Sequence, residues 1–110
     1  MRAGQLKHSV VIQARSTATD SFGSASDDWV DVFDNSLAAA VEPLSGRELY
    51  SAQQHMPDVS VRIRIRYRLG VLADQRVMFR NQPYSILYVL NKDTADRELH
   101  LMCSIGVNEG

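Results

Sequence analysis

The stretch Val59–Arg68, VSVRIRIRYR, decides how the rest of the chain is read. Val59, Val61, Ile63, Ile65 and Tyr67 alternate strictly with Ser60, Arg62, Arg64, Arg66 and Arg68. Successive side chains of a strand point to opposite faces, so the segment predicts a strand with one apolar face and one face bearing a row of guanidinium groups. Such a row can face water, meet another protein surface or track a polyanion, and the surrounding sequence has to separate the three.

On the N-terminal side, residues 9–18 alternate as an opening strand, and TDSFGSASDD, Thr19–Asp28, has the Asp, Ser and Gly content of a turn or loop. Ten residues exceed a tight hairpin, so a projecting loop is expected over 19–28. Trp29, Val30, Val32 and Phe33 resume an extended segment with Trp29 expected in the core, and Leu37–Val41 read as a short strand of small residues. Ser45-Gly46-Arg47-Glu48 matches a capping box and starts a helix over about 45–56. Leu44 can staple to Leu49, Leu49, Ala52 and Met56 form its apolar stripe, and Pro57 ends it.

On the C-terminal side, Leu69–Asp74 read as a connection, Gln75–Arg80 as a strand and Asn81-Gln82-Pro83 as a turn. Tyr84–Leu90 is apolar on both faces, which fits a central strand or one at an interface. Leu99, Leu101, Cys103 and Ile105 alternate along the last strand. Short strands around one helix predict a mainly β fold: a small antiparallel β-barrel or sandwich with one inserted α-helix, expected to cover an opening.

The 110 residues fit one domain spanning 1–110, and 12 Lys and Arg against 13 Asp and Glu give a net charge of −1. That balance lacks the basic excess of a dedicated nucleic-acid binder, so the arginine row is a local feature. One cysteine, Cys103, cannot form an internal disulfide, and its phase with Leu99 and Leu101 predicts a buried, inert thiol. His8, His55 and His100 are scattered without a metal-ligand spacing. The acid pairs Asp27–Asp28 and Asp93/Asp96 lie in polar loops with nothing to raise a carboxylate pKa. No phosphate-binding glycine motif is present, so no catalytic, metal or cofactor residues are assigned. No apolar run approaches the roughly 20 residues of a membrane span, and a soluble, non-membrane protein is expected.

The order of features is itself specific. MRAGQLKHSVVIQ at the start, DSFG before Trp29, VEPLSGRELYSAQQ, VRIRIRYR, VMFRNQPYSILYVLNKD and RELHLMC together resemble the phage head-tail joining family, from Met1 to about Ser104. These are small head-completion, adaptor or stopper proteins that act between portal and tail. The resemblance implies a β-barrel-like subunit made in the bacterial host cytoplasm and assembled in the virion as a ring, usually dodecameric. Portal or adaptor lies above it, a tail-completion protein below, and packaged double-stranded DNA passes through the channel. It implies no catalytic residues and no cofactor.

On this reading the candidate subunit interface pairs the basic row Arg62, Arg64, Arg66 and Arg68 with the acidic residues Asp27, Asp28, Asp31 and Asp34. Arginine suits that task because its fork binds carboxylates bidentately. Ser21, Phe22 and Gly23 form a candidate docking or channel loop, since Phe22 is a large apolar residue in loop chemistry. The alternative is a small single-stranded nucleic-acid-binding barrel, with the arginines on the backbone and Tyr67 or Tyr84 stacking bases. Tyr67, however, is in phase with the apolar face, opposite the arginines.

Overall fold

The computed structural model describes residues 6–15 and 29–106. The expected projecting loop over 19–28, with Ser21, Phe22 and Gly23, and the acids Asp27 and Asp28 lie outside the described residues. The strands are His8–Arg15 (β1), Trp29–Asp31 (β2), Leu37–Pro43 (β3), Val61–Arg66 (β4), Arg76–Phe79 (β5), Gln82–Asn91 (β6) and Glu98–Ile105 (β7). One helix, Gly46–His55 (α1), is inserted between β3 and β4.

All the pairings are antiparallel, and β1, β3, β4, β7, β6 and β5 follow one another around a closed six-stranded barrel. Closure comes from Val11, Ile12 and Gln13 of β1 opposite Met78, Val77 and Arg76 of β5. β2 lies outside that circuit and, among the described residues, pairs only with the far end of β1, Arg15 opposite Trp29. The alternation read in the arginine stretch is realised: Val61, Ile63 and Ile65 are buried inside, where they meet Val10, Ile12, Ala39, Leu99, Leu101 and Cys103. Ala39 is small because it lies in the crowded interior between β1 and β4, where it is fully buried.

The helix does not cover an opening of the barrel. Leu49 and Ala52 of α1 pack with Leu44, Val59 and Met102, and with Leu87 and Tyr88 of β6. Met102 alternates with the inward Leu101 and Cys103, so the helix lies on the outer wall. β6 serves it through a bulge: Ile86 pairs with Cys103 and Tyr88 with Met102, leaving Leu87 as the extra residue. The bulge puts Leu87 and Tyr88 under the helix and returns Val89 to the core, which explains a strand apolar on both faces. The opening itself is plugged by the β4–β5 connection, whose Val71 is buried in the core cluster. Gly70 takes φ +95 there, beside the Phe33 ring. Gln75 fixes the loop by donating to Gly70 O at 3.0 Å and accepting from Leu72 N at 2.9 Å.

Three local expectations change. The β5–β6 turn is Arg80–Asn81, with φ of 52 and 64, and Phe79 pairs with Gln82. Positive φ at both central residues is the geometry of a two-residue hairpin, and Gln82 and Pro83 are the first two residues of the next strand instead of the end of the turn. Trp29 stays out of the core, because three-residue β2 has no barrel wall behind it. Ser45 makes no side-chain capping bond. Gly46 follows at φ +57, which carries the chain into the helix by a route that leaves the serine oxygen unused.

Gly46 therefore matters more than Ser45. An added Cβ at Gly46 would meet nothing within 4 Å, so Gly46→Ala isolates the backbone effect. It should lower stability by about 1 kcal/mol, the cost of a left-handed residue, while Ser45→Ala leaves the urea midpoint nearly unchanged. Burial pushes the Cys103 thiol up to about 12. Thiol labelling at neutral pH should accordingly proceed only as fast as the barrel opens, and should accelerate in denaturant.

Candidate interaction surface

The outer face of β4 is where charge collects, because alternation sends Arg62, Arg64 and Arg66 away from the core. The two neighbouring strands place carboxylates beside two of them. Glu42 of β3 lies opposite Arg62, and Glu98 of β7 lies opposite Arg66, diagonal to Arg64. Glu42 accepts from Arg62 Nε at 2.9 Å, and from Arg64 at both oxygens, Nε at 3.0 Å and Nη2 at 3.1 Å. Arg62 also donates to Glu48 on α1, so the residue expected to close the capping box instead ties the helix to the sheet. Arg64 Nη1 reaches Glu98 Oε2 at 3.8 Å, and Glu98 accepts from His100 Nε2 at 2.8 Å with Lys92 at 3.8 Å.

Charges of both signs thus alternate across three strands and the helix. Burial pulls the Glu42 carboxyl up, but hydrogen bonds from Arg62 and Arg64 outweigh it and hold the group below the ordinary range. The His100 hydrogen bond holds Glu98 low against its burial, with Arg64 and Lys92 adding to the effect. For Arg62, burial works against the charge, and the bonds to Glu42 and Glu48 outweigh it, so its pKa rises.

The row expected to act as a unit is therefore divided. Arg62 and Arg64 are engaged by carboxylates of their own chain. Arg66 is exposed at the end of β4, and Arg68 lies beyond the strand with its guanidinium 3.8 Å from the Phe33 ring centroid. Of the candidate acids, Asp31 is exposed on β2 and accepts from Gln13 Nε2 at 2.9 Å, and exposed Asp34 lines a small hollow with Arg68. Nearby, the guanidiniums of Arg15 and Arg76 lie 5.0 and 4.3 Å from the Trp29 ring centroid. Burial and then repulsion from Arg15 lower the Arg76 pKa. Tyr67 and Tyr84 pack against the core cluster; Tyr67 lines a hollow bordered by Arg66 and Arg68, and neither ring lies on the outer face of β4 that carries Arg62 and Arg64.

Glu42, Glu98 and His100 were missed as partners from sequence. Their signal was their phase: each sits at an outward position of a strand, Glu98 and His100 flanking the inward Leu99. Among the described residues no group of three or more His, Cys, Asp or Glu could hold a metal ion. No helix among them is long and apolar enough to cross a membrane.

Comparison with known proteins gives one family and one fold. The family described as phage head completion protein matches residues 1–106. The chain is similar to the solution structure of protein SF1141 from Shigella flexneri 2a, with a TM-score of 0.81 and 27% identity over 99% of this chain and 100% of that one. None of the curated proteins matches the chain.

Two consequences can be measured. Glu42 and Glu98 are held below the ordinary value of 4.5, so their contribution is present above that value and lost as pH falls through the depressed folded values. The denaturation midpoint should be flat from neutrality to about pH 5 and fall below it, and a Glu42→Gln/Glu98→Gln variant should show a shallower fall. Arg64→Glu should destabilise the isolated subunit by about 3 kcal/mol, because it sets a third carboxylate between Glu42 and Glu98. Arg66→Glu, which would face Glu98 across the β4–β7 ladder at an exposed position, should cost no more than about 1 kcal/mol.

Proposed function

Because the chain belongs to the phage head completion protein family, with a phage head-tail joining role, we propose that its subunits close into a ring between portal and tail. The ring retains packaged double-stranded DNA in the head and presents a surface on which the tail docks. The observation that carries this reading is the family match over residues 1–106. Head-to-tail closure uses two different patches of each subunit. Arg66 and Arg68 supply one, since Arg62 and Arg64 are occupied within the chain, and the stretch Asp27–Asp34 supplies the other. Complementary charge then fixes register more than it adds affinity.

Electron microscopy and native mass spectrometry of the protein with its cognate portal test the reading. Rings bound to the portal are expected; neither ring nor binding would defeat it. Arg66→Glu should weaken assembly about tenfold while the subunit remains folded, and Asp31→Arg in the same chain should restore part of the loss.

A further inference from the structure

The barrel wall is not continuous at the end carrying Arg66. The β3–β4 ladder runs from Pro43 opposite Val61 to Ala39 opposite Ile65 and stops there. Leu37 and Ala38 continue β3 but pair only with Val10 and Ser9 of β1, and Arg66 continues β4 but pairs only with Glu98 of β7. Among the described residues no strand covers the two edges that face each other across this gap. Between them lies a cleft of about 490 Å³, its floor made by Leu6, Leu37, Ile65 and Tyr67 and its rim by Arg66 and Arg68. Among the described residues no carboxylate forms an ion pair with either arginine, whereas Arg62 and Arg64 on the same row are both paired.

Two unpaired strand edges, an apolar floor and two cationic rim groups define what fits: an extended segment with one large apolar side chain and flanking carboxylates. An added strand gains main-chain hydrogen bonds from the edges and side-chain specificity from the floor. Resting on the ring proposed above, we infer that the cleft receives the segment Thr19–Asp28, TDSFGSASDD, of an adjacent copy, with Phe22 on the floor and the aspartates Asp27 and Asp28 toward Arg66 and Arg68. The chain enters and leaves that segment at the paired residues Arg15 and Trp29. It carries Phe22 as its one aromatic residue, three aspartates and no cation, which complements the rim.

Two measurements test this. A peptide of residues 18–28 added to the isolated subunit should shift the amide resonances of Leu37, Ala38 and Tyr67. Its affinity should fall at least tenfold with Phe22→Ala in the peptide or with Arg66→Glu/Arg68→Glu in the subunit. In portal-bound rings mixed from Ser21→Cys and Ser36→Cys chains, mild oxidation should link one chain of each kind, with buried Cys103 remaining unreacted. Absence of peptide shifts at the cleft, or rings that form without the mixed cross-link, would overturn the inference and leave the connector reading standing. A link formed only within single chains carrying both cysteines would also overturn it, by showing that each cleft holds its own segment. Failure to form rings at all defeats the connector reading, and the inference with it.

Discussion

The pairing of Val11, Ile12 and Gln13 with Met78, Val77 and Arg76 is the constraint on which the other features depend. β1 has to serve three partners, β3 through His8–Val10, β5 through Val11–Gln13 and β2 through Gln13–Arg15. Once β5 takes its middle, the sheet curls shut and its terminal edges are removed. Closure also gives every strand an inside and an outside, so a two-residue alternation becomes a radial separation of apolar and charged groups. A 110-residue chain with 7% aromatic residues can then fill its interior with Val, Ile and Ala.

Closure turns the arginine strand into an electrostatic problem that its neighbours solve. Like charges on one strand repel, and the repulsion is relieved where carboxylates stand opposite on the flanking strands. Glu42 accepts from two arginines and Glu98 contacts Arg64, Lys92 and His100, so the middle of the row is neutralised inside the subunit. On the β3 side relief ends where the β3–β4 ladder ends, and on the β7 side Glu98 stands opposite Arg66 but its oxygens go to Arg64, Lys92 and His100. Beyond Ala39 opposite Ile65 no residue of β3 stands beside β4, and Arg66 and Arg68 lie past that point. The row thus differs by position: Arg62 at its start ties α1 to the barrel, and Arg66 and Arg68 at its end form the patch proposed above for subunit contact.

The strand phases, the helix and the buried cysteine were legible in the sequence because each follows from a local period. The fate of Arg62 and Arg64 was not, since Glu42 and Glu98 lie far from them along the chain and only barrel register sets them alongside. Ser45 and Glu48 misled for a related reason. Their spacing is correct for a capping box, but Arg62 competes for Glu48 and the positive φ of Gly46 redirects the chain. The plug escaped notice because Leu69–Asp74 has loop composition, and nothing local distinguishes the buried Val71 from the exposed Leu69 and Leu72. Among the site candidates, the sequence pointed to the row but could not divide it.

The two ends of the barrel differ in how fully they satisfy themselves. At the helix end, Leu44, Val59 and Met102 are covered by α1, and Arg62 is paired there with Glu42 and Glu48. At the other end, Val71 and Phe33 seal the core while Leu69 and Leu72 stand exposed on a loop fixed by Gln75. Exposed leucines on a loop held by Gln75, beside arginines that form no ion pair among the described residues, fit the contact proposed above, because a loop already held has less ordering cost to meet when that contact forms. On the proposed ring, a subunit that joins neighbours at this end needs its own stability from the opposite one. The placement of the helix and the carboxylates separates those two demands on a chain too short to duplicate either.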